Sequence, residues 1–233
     1  MKVISLKSKE EWKKKRQIGG TDLCAIVNGK GRWNNIIDIY ERVALNKPQK
    51  EIDTPKTKLG TLAERHIRSL FLLQHSELKV EYGNYNYLLV ISDLSDYLTL
   101  SPDTIVSNRD TNALGFVEIK YKEISNENSI ADYLINLKEK DPQYYWQIVD
   151  YFIKMERATF GYLVVAFVVK HKGVYQKTII DSLRIDRGLV KEDIDLGTSK
   201  LLGFVHNNIE KKQKPFFEKG DLEIWENFMN LKR

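Results

Sequence analysis

The chain has 233 residues, of which 42% are hydrophobic and 30% charged, enough to bury a proper core as one domain over 1–233. No apolar run approaches the ~20 residues that span a bilayer, and the first residues lack the apolar core of a signal peptide. The single cysteine, Cys24, excludes intrachain disulfides, a thiolate zinc site and a four-cysteine iron–sulfur cluster, and fits a cytoplasmic protein. A net charge of +5 and a pI near 9.0 lean toward a polyanionic partner.

In chain order, residues 10–15 read as a short helix end leading into Ile18-Gly19-Gly20-Thr21-Asp22. There Gly-Gly is a turn and Thr-Asp an N-cap, with a helix beginning over 23–27. The spacing of Ile36, Ile37, Ile39, Tyr40, Val43 and Ala44 predicts an amphipathic helix over 34–45, with a loop around 46–58 after it. A longer helix over 57–74 is expected to bury a stripe of Leu59, Leu62, Ala63, Ile67, Leu70 and Phe71. Strands follow at 79–82 and 85–91. Two more, 101–106 and 115–120, form a hairpin around a polar turn. Pro142 suits the first turn of a helix over 141–155. The nearly all-apolar run 159–170 reads as a strand buried on both faces, with 174–185 as a neighbouring or edge strand. Helices over 186–212 and 221–231 close the chain. This order predicts an α/β fold with a mixed central sheet flanked by helices.

The hairpin carries the chemistry. Along its second strand Phe116, Glu118 and Lys120 share one face, and Val117 and Ile119 the other. Asp103 enters the first strand after Ser101-Pro102. Charges interleaved with apolar residues on an internal strand are costly unless paired or bound to an ion. Two carboxylates can hold a divalent cation, and a lysine beside them can polarise or deprotonate a water. Asp103, Glu118 and Lys120 therefore point to metal-dependent phosphodiester hydrolysis. Whether Lys120 is a general base or a protonated charge stabiliser stays open.

Other candidates have two readings each. Glu64, in Gly60-x3-Glu64, is either a solvated helix charge or a third carboxylate reaching the metal directly or through water; His66 and Arg68 are expected on other faces, with His66 structural or exposed. Gln147 and Tyr151, at i and i+4 on one helix face, are either core or groups that orient a water or a phosphate. Arg16, Gly19, Gly20 and Thr21 form either an ordinary capping turn or a phosphate site at a helix N-terminus. The adjoining Lys13-Lys14-Lys15 run is a solvated face or part of that site.

Taken together, Arg16…Ile18-Gly19-Gly20-Thr21-Asp22, Gly60-x3-Glu64, Ser101-Pro102-Asp103, Glu118-Ile119-Lys120 and Gln147-x3-Tyr151 resemble, in order and interval over about 10–170, the YqaJ-type viral recombinase family. That family includes the phage lambda exonuclease, within the PD-(D/E)xK nuclease superfamily. The resemblance implies a restriction-endonuclease-like core and Mg²⁺-dependent 5′-to-3′ digestion of one strand at double-stranded DNA ends, with Mn²⁺ as an alternative ion. It implies metal binding by Asp103, Glu118 and the Ile119 carbonyl, water activation by Lys120, and support from Glu64, Gln147 and Tyr151. It further implies a 5′-phosphate contact from Arg16, Thr21 and Ser101; a threonine at 21 replaces the serine common in the family. Members can form ring-shaped homo-trimers and work beside a single-strand annealing protein in phage recombination. An endonuclease of the same superfamily and a catalytically silent DNA-binding module are the alternatives.

Overall fold

The computed structural model describes residues 1–47, 54–83 and 87–216, the side chains of 55–57 aside. The order is β1 (Lys2–Ser5), α1 (Lys9–Lys15), α2 (Leu23–Asn28), α3 (Ile36–Ala44), α4 (Pro55–Gln74), β2 (Leu78–Gly83), β3 (Leu88–Ile91), β4 (Thr99–Leu100), β5 (Thr104–Asn108) and β6 (Leu114–Ile124). Then come α5 (Ile130–Ile135), α6 (Leu137–Lys140), α7 (Pro142–Lys154), β7 (Ala158–His171), β8 (Val174–Asp186) and α8 (Lys191–Phe204).

The large sheet has five strands in the order β2-β5-β6-β7-β8. β5 and β6 form the expected antiparallel hairpin, with Thr104 opposite Val117. β6 and β7 run parallel, which requires a crossover; α5, α6 and α7 supply it. β8 returns antiparallel to β7 through Lys172 and Gly173, both at positive φ (48° and 81°). This is the backbone of a two-residue turn that matches strand twist. The sheet is mixed and helices cover it, as the sequence predicts.

Alternation along β6 and β7 sets the two faces. Phe116, Leu163, Val165 and Phe167 pack with α7 side chains such as Ile148 and Phe152. Val117, Ile119, Tyr162, Val164 and Ala166 pack with Ile67 and Phe71 of α4. Phe116 and Val117 are fully buried, and each contributes about 1.5–3 kcal/mol through the apolar area it withdraws from water. Helix ends follow local chemistry: Ser8 caps α1, Asn35 makes a capping box with Asp38, and Asp141 caps α7 just before Pro142.

Several expectations need correction. The first hairpin strand does not run unbroken from 101 to 106. Thr99–Leu100 belongs to a three-stranded sheet, β1-β3-β4, and the chain passes to the large sheet through Ser101, Pro102 and Asp103. β1 itself was not expected, being only four residues long. On α4, Ile67 and Phe71 are buried but Leu59, Leu62 and Leu70 are 49%, 72% and 50% exposed, because the helix covers the sheet over only part of its face. Arg68 is not on another face from Glu64: its guanidinium pairs with that carboxylate at 3.0 Å. Asp22 stands at the α2 N-cap without a capping bond. The expected helix over 186–212 is divided: Asp186 ends β8, a 3₁₀ turn covers Arg187–Val190, and after α8 comes a π turn over Val205–Glu210. The expected helix at 221–231 and residues 48–53 of the expected loop at 46–58 lie outside the described residues, and the end of that loop is helical, α4 beginning at Pro55. No helix among the described residues is long and apolar enough to cross a membrane.

Candidate active site

The break between β4 and β5 puts Asp103 beside the middle of β6. The Ile119 backbone N–H donates to Asp103 Oδ2 at 2.6 Å. Glu118, next to Ile119 on the opposite face of the strand, is 4% exposed and is held on every side. Lys120 Nζ donates to its Oε1 at 2.5 Å, Gln147 Nε2 to the same oxygen at 2.6 Å, and the Tyr151 hydroxyl to Oε2 at 2.9 Å. Gln147 and Tyr151 reach the same carboxylate because they lie one turn apart on α7, and the amide also donates to the Tyr151 oxygen at 2.9 Å. Gln147 Oε1 is buried with no hydrogen-bond partner among the described residues.

The electrostatics match that crowding. Burial, then the charges of Glu118 and Glu64, hold the Asp103 carboxyl well above the usual carboxylate range, against Lys120 and the Ile119 N–H. Burial also raises Glu64, opposed by Arg68 and reinforced by Glu118. Burial pulls Lys120 down, but Glu118 and Asp103 outweigh it, so its ammonium is held above the ordinary lysine range. Burial, Glu118 and Asp103 raise the Tyr151 hydroxyl, which stays a neutral donor.

Asp103, Glu118, Lys120, Gln147 and Tyr151 open onto one cavity of about 380 Å³, and Arg16, Thr21 and Ser101 line it too. Eight of the ten residues singled out from the sequence thus meet in one place. Ile119 contributes its backbone, and Glu64 does not line the cavity. The glycines make the meeting possible. A Cβ on Gly20 would stand 2.4 Å from the Tyr151 ring, and one on Gly19 2.9 Å from the Arg16 guanidinium. Gly20, Lys9, Trp12, Tyr87 and Leu88 complete the lining, and all of these but Gly20 were missed. Trp12 Nε1 donates to Ser101 Oγ at 2.9 Å, and the Arg16 guanidinium lies 4.8 Å over the indole ring. The signal was present: Trp12 precedes Arg16 by four residues, one turn on a helical face.

No group of three His, Cys, Asp or Glu side chains close enough to hold a metal ion occurs among the described residues. Glu64 pairs with Arg68 at 3.0 Å, and its charge adds to burial and Glu118 in raising Asp103. The remaining donors still suit a hard cation. Two carboxylates with too little positive charge between them, beside an unpartnered amide oxygen, fit Mg²⁺, which takes one or two carboxylates and keeps waters or substrate oxygens for the rest.

The fold is a mixed sheet between helices, a restriction-endonuclease-like core. Its structural neighbours include the alkaline exonuclease LHK-Exo from Laribacter hongkongensis, at 20% identity and a TM-score of 0.55, covering 87% of this chain and 95% of that one. The same enzyme in complex with dAMP matches at 17% identity and 0.55, covering 88% and 95%. A phage-related exonuclease from Haemophilus somnus 129PT matches at 12% and 0.54, covering 84% and 96%. The fold expected from the sequence resemblance is therefore present. No protein-family model matches the sequence, and no curated protein does.

Proposed function

We propose that this chain is a metal-dependent deoxyribonuclease acting from the ends of linear double-stranded DNA, degrading one strand in the 5′-to-3′ direction. The observation that carries this reading is the shared cavity: the Asp103, Glu118 and Lys120 set and the Arg16, Thr21 and Ser101 set face the same space. A carboxylate pair suits phosphodiester hydrolysis. An arginine with two hydroxyls suits a terminal phosphate, since a guanidinium offers paired charged donors. The fold shared with alkaline and phage-related exonucleases supports the same class.

Asp103, Glu118 and the Ile119 carbonyl would hold Mg²⁺, or Mn²⁺ in its place. The ion would lower the pKa of a bound water and offset charge at phosphorus. The chain's own groups do the rest. The Ile119 N–H fixes Asp103, and Gln147 and Tyr151 orient Glu118. Lys120, held beside Glu118, meets the attacking water or the scissile phosphate. Arg16, Thr21 and Ser101 place the end so that the first phosphodiester falls at the carboxylates. The 3′ overhang left behind is the substrate class of a single-strand annealing protein, which makes phage-type recombination in the host cytoplasm the setting and a homo-trimer a fitting assembly.

The decisive experiment incubates end-labelled linear duplex, with 5′-phosphate or 5′-hydroxyl ends, with the protein in Mg²⁺ or chelator, alongside closed circular duplex. Stepwise, Mg²⁺-dependent loss of one strand with the circle intact is expected. Nicking of the circle would make the protein an endonuclease, and no cleavage in Mg²⁺ or Mn²⁺ would make it a binding module.

A further inference from the structure

We propose that Lys154 is a positioning residue for the end-binding side of the site: its buried ammonium ties the segment carrying Thr21 to the segment carrying Ser101, so that both hydroxyls meet one phosphate. This rests on the nuclease reading above and adds a residue to it.

Lys154 is fully buried at the end of α7 and does not line the cavity. Its Nζ donates to the Ile18 carbonyl at 2.9 Å and the Thr99 carbonyl at 3.3 Å, and pairs with the equally buried Asp150 at 2.7 Å. Neither Asp150 oxygen accepts a well-directed hydrogen bond among the described residues, so the pair is held by charge. An ammonium with no water costs free energy that a methionine of similar length would not. What the ammonium does, and an apolar chain cannot, is join two backbone carbonyls from distant parts of the sequence.

Those two segments run side by side. The Ile18 N–H donates to the Tyr97 carbonyl at 3.0 Å, the Thr99 N–H to the Ile18 carbonyl at 3.0 Å, and the Gln17 N–H to Thr99 Oγ1 at 2.9 Å. Lys154 closes the join where both turn into the cavity, just before Thr21 on one and Ser101 on the other. A second set of groups, with Asp22 and Gln143 buried and Arg42 partly buried, also holds the turn. Arg42 donates to the Gln17 carbonyl and to Asp22 Oδ2, each at 2.7 Å. Asp22 Oδ2 accepts the Gly19 N–H at 2.7 Å, and Gln143 donates to the Thr21 carbonyl at 2.8 Å. None of Asp22, Arg42 and Gln143 lines the cavity. The Thr21 turn is thus held by two sets of groups outside the reaction space.

The test compares wild type with Lys154→Met and with the Asp150→Asn/Lys154→Met pair, which removes both buried charges and stays informative if the single variant unfolds. Steady-state kinetics on linear duplex with 5′-phosphate and 5′-hydroxyl ends are measured in Mg²⁺. Binding of a 5′-phosphorylated oligonucleotide is measured in chelator, where no cleavage occurs. KM for the 5′-phosphorylated duplex, and Kd for the oligonucleotide, should rise roughly tenfold, the factor that about 1.4 kcal/mol gives. kcat should change less, and the preference for the phosphorylated end should fall toward one. A folded double variant with undiminished end preference, or one that loses kcat at constant KM, overturns the proposal. A wild-type protein with no preference for the 5′-phosphate overturns it together with the end-binding reading. Wild-type binding of phosphorylated ends without cleavage sinks the nuclease reading alone, and the Kd comparison then decides the role of Lys154.

Discussion

The Ile119 N–H donates to the Asp103 carboxylate across 2.6 Å, and this one bond registers the crossing between the two sheets against the middle strand of the larger. It holds Asp103 near Glu118, where burial first and then the Glu118 charge raise the Asp103 carboxyl. We expect Asp103→Asn and Glu118→Gln each to lower Mg²⁺-dependent cleavage by roughly 10³ or more, since a bound ion supplies several kcal/mol of charge stabilisation. Lys120→Met should lower it by about 10²–10⁴, the range for a positioned proton-transfer group. Circular dichroism checks that each variant folds; cleavage by folded Lys120→Met at the wild-type rate would remove that residue from the mechanism.

Tyr151→Phe tests the support of Glu118. The ring keeps its edge contact with Phe116, whose centroid lies 5.2 Å away, while the hydroxyl that donates to Glu118 is lost. Stability should change by about 1 kcal/mol, the net worth of one hydrogen bond. Cleavage should fall by more than that stability change explains, in kcat and not in KM. An unaltered kcat in single-turnover assays would show that Gln147 and Lys120 suffice to orient the carboxylate.

Arg16→Ala should slow digestion of 5′-phosphorylated ends by roughly 10–100-fold, since bonds to a charged group are worth about 1.5–3 kcal/mol, and leave 5′-hydroxyl ends nearly as before. Equal slowing on both substrates would argue that Arg16 contacts DNA elsewhere, or that it acts through the Trp12 ring it covers.

The Asp150–Lys154 pair makes a prediction about stability and pH. Burial pushes the Asp150 carboxyl up to about 7, against the pull of Lys154. A raised carboxyl favours the protonated folded state. Its contribution is therefore fully present below the ordinary value of 3.8, and is lost as pH rises through about 7. Wild type should lose a few kcal/mol across that window relative to Asp150→Asn/Lys154→Met, measured by urea unfolding at a series of pH values. Lys154→Met alone removes the pull that holds Asp150 down, so its carboxyl should rise further and the variant should lose most stability above pH ~7 and less at pH ~5. Parallel pH profiles for wild type and the double variant would contradict the raised carboxyl.

Much of the site was legible because strand chemistry is local. Alternation alone put Glu118 and Lys120 on one face of β6, opposite Val117 and Ile119, and the same period of two sorted β7 between its two cores. The spacing of Gln147 and Tyr151 placed both on one helical face. Helical spacing misled on α4: it found a periodic apolar stripe, but only packing determined that Ile67 and Phe71 would be covered and Leu62 left out. Arg68, expected on another face, instead pairs one turn on with Glu64.

By itself, then, the sequence determined which residue types share a face and which segments alternate, since these depend on backbone geometry repeating every two or every 3.6 residues. It could not determine that the chain leaves one sheet at Leu100 and enters another at Thr104, which is what sets Asp103 beside Ile119. Nor could it reveal that Lys154, a lysine inside an apolar helix, would join Ile18 to Thr99, or that Trp12 would reach Ser101. Those contacts link positions tens of residues apart, and they exist only once the strands pair and α7 packs across them.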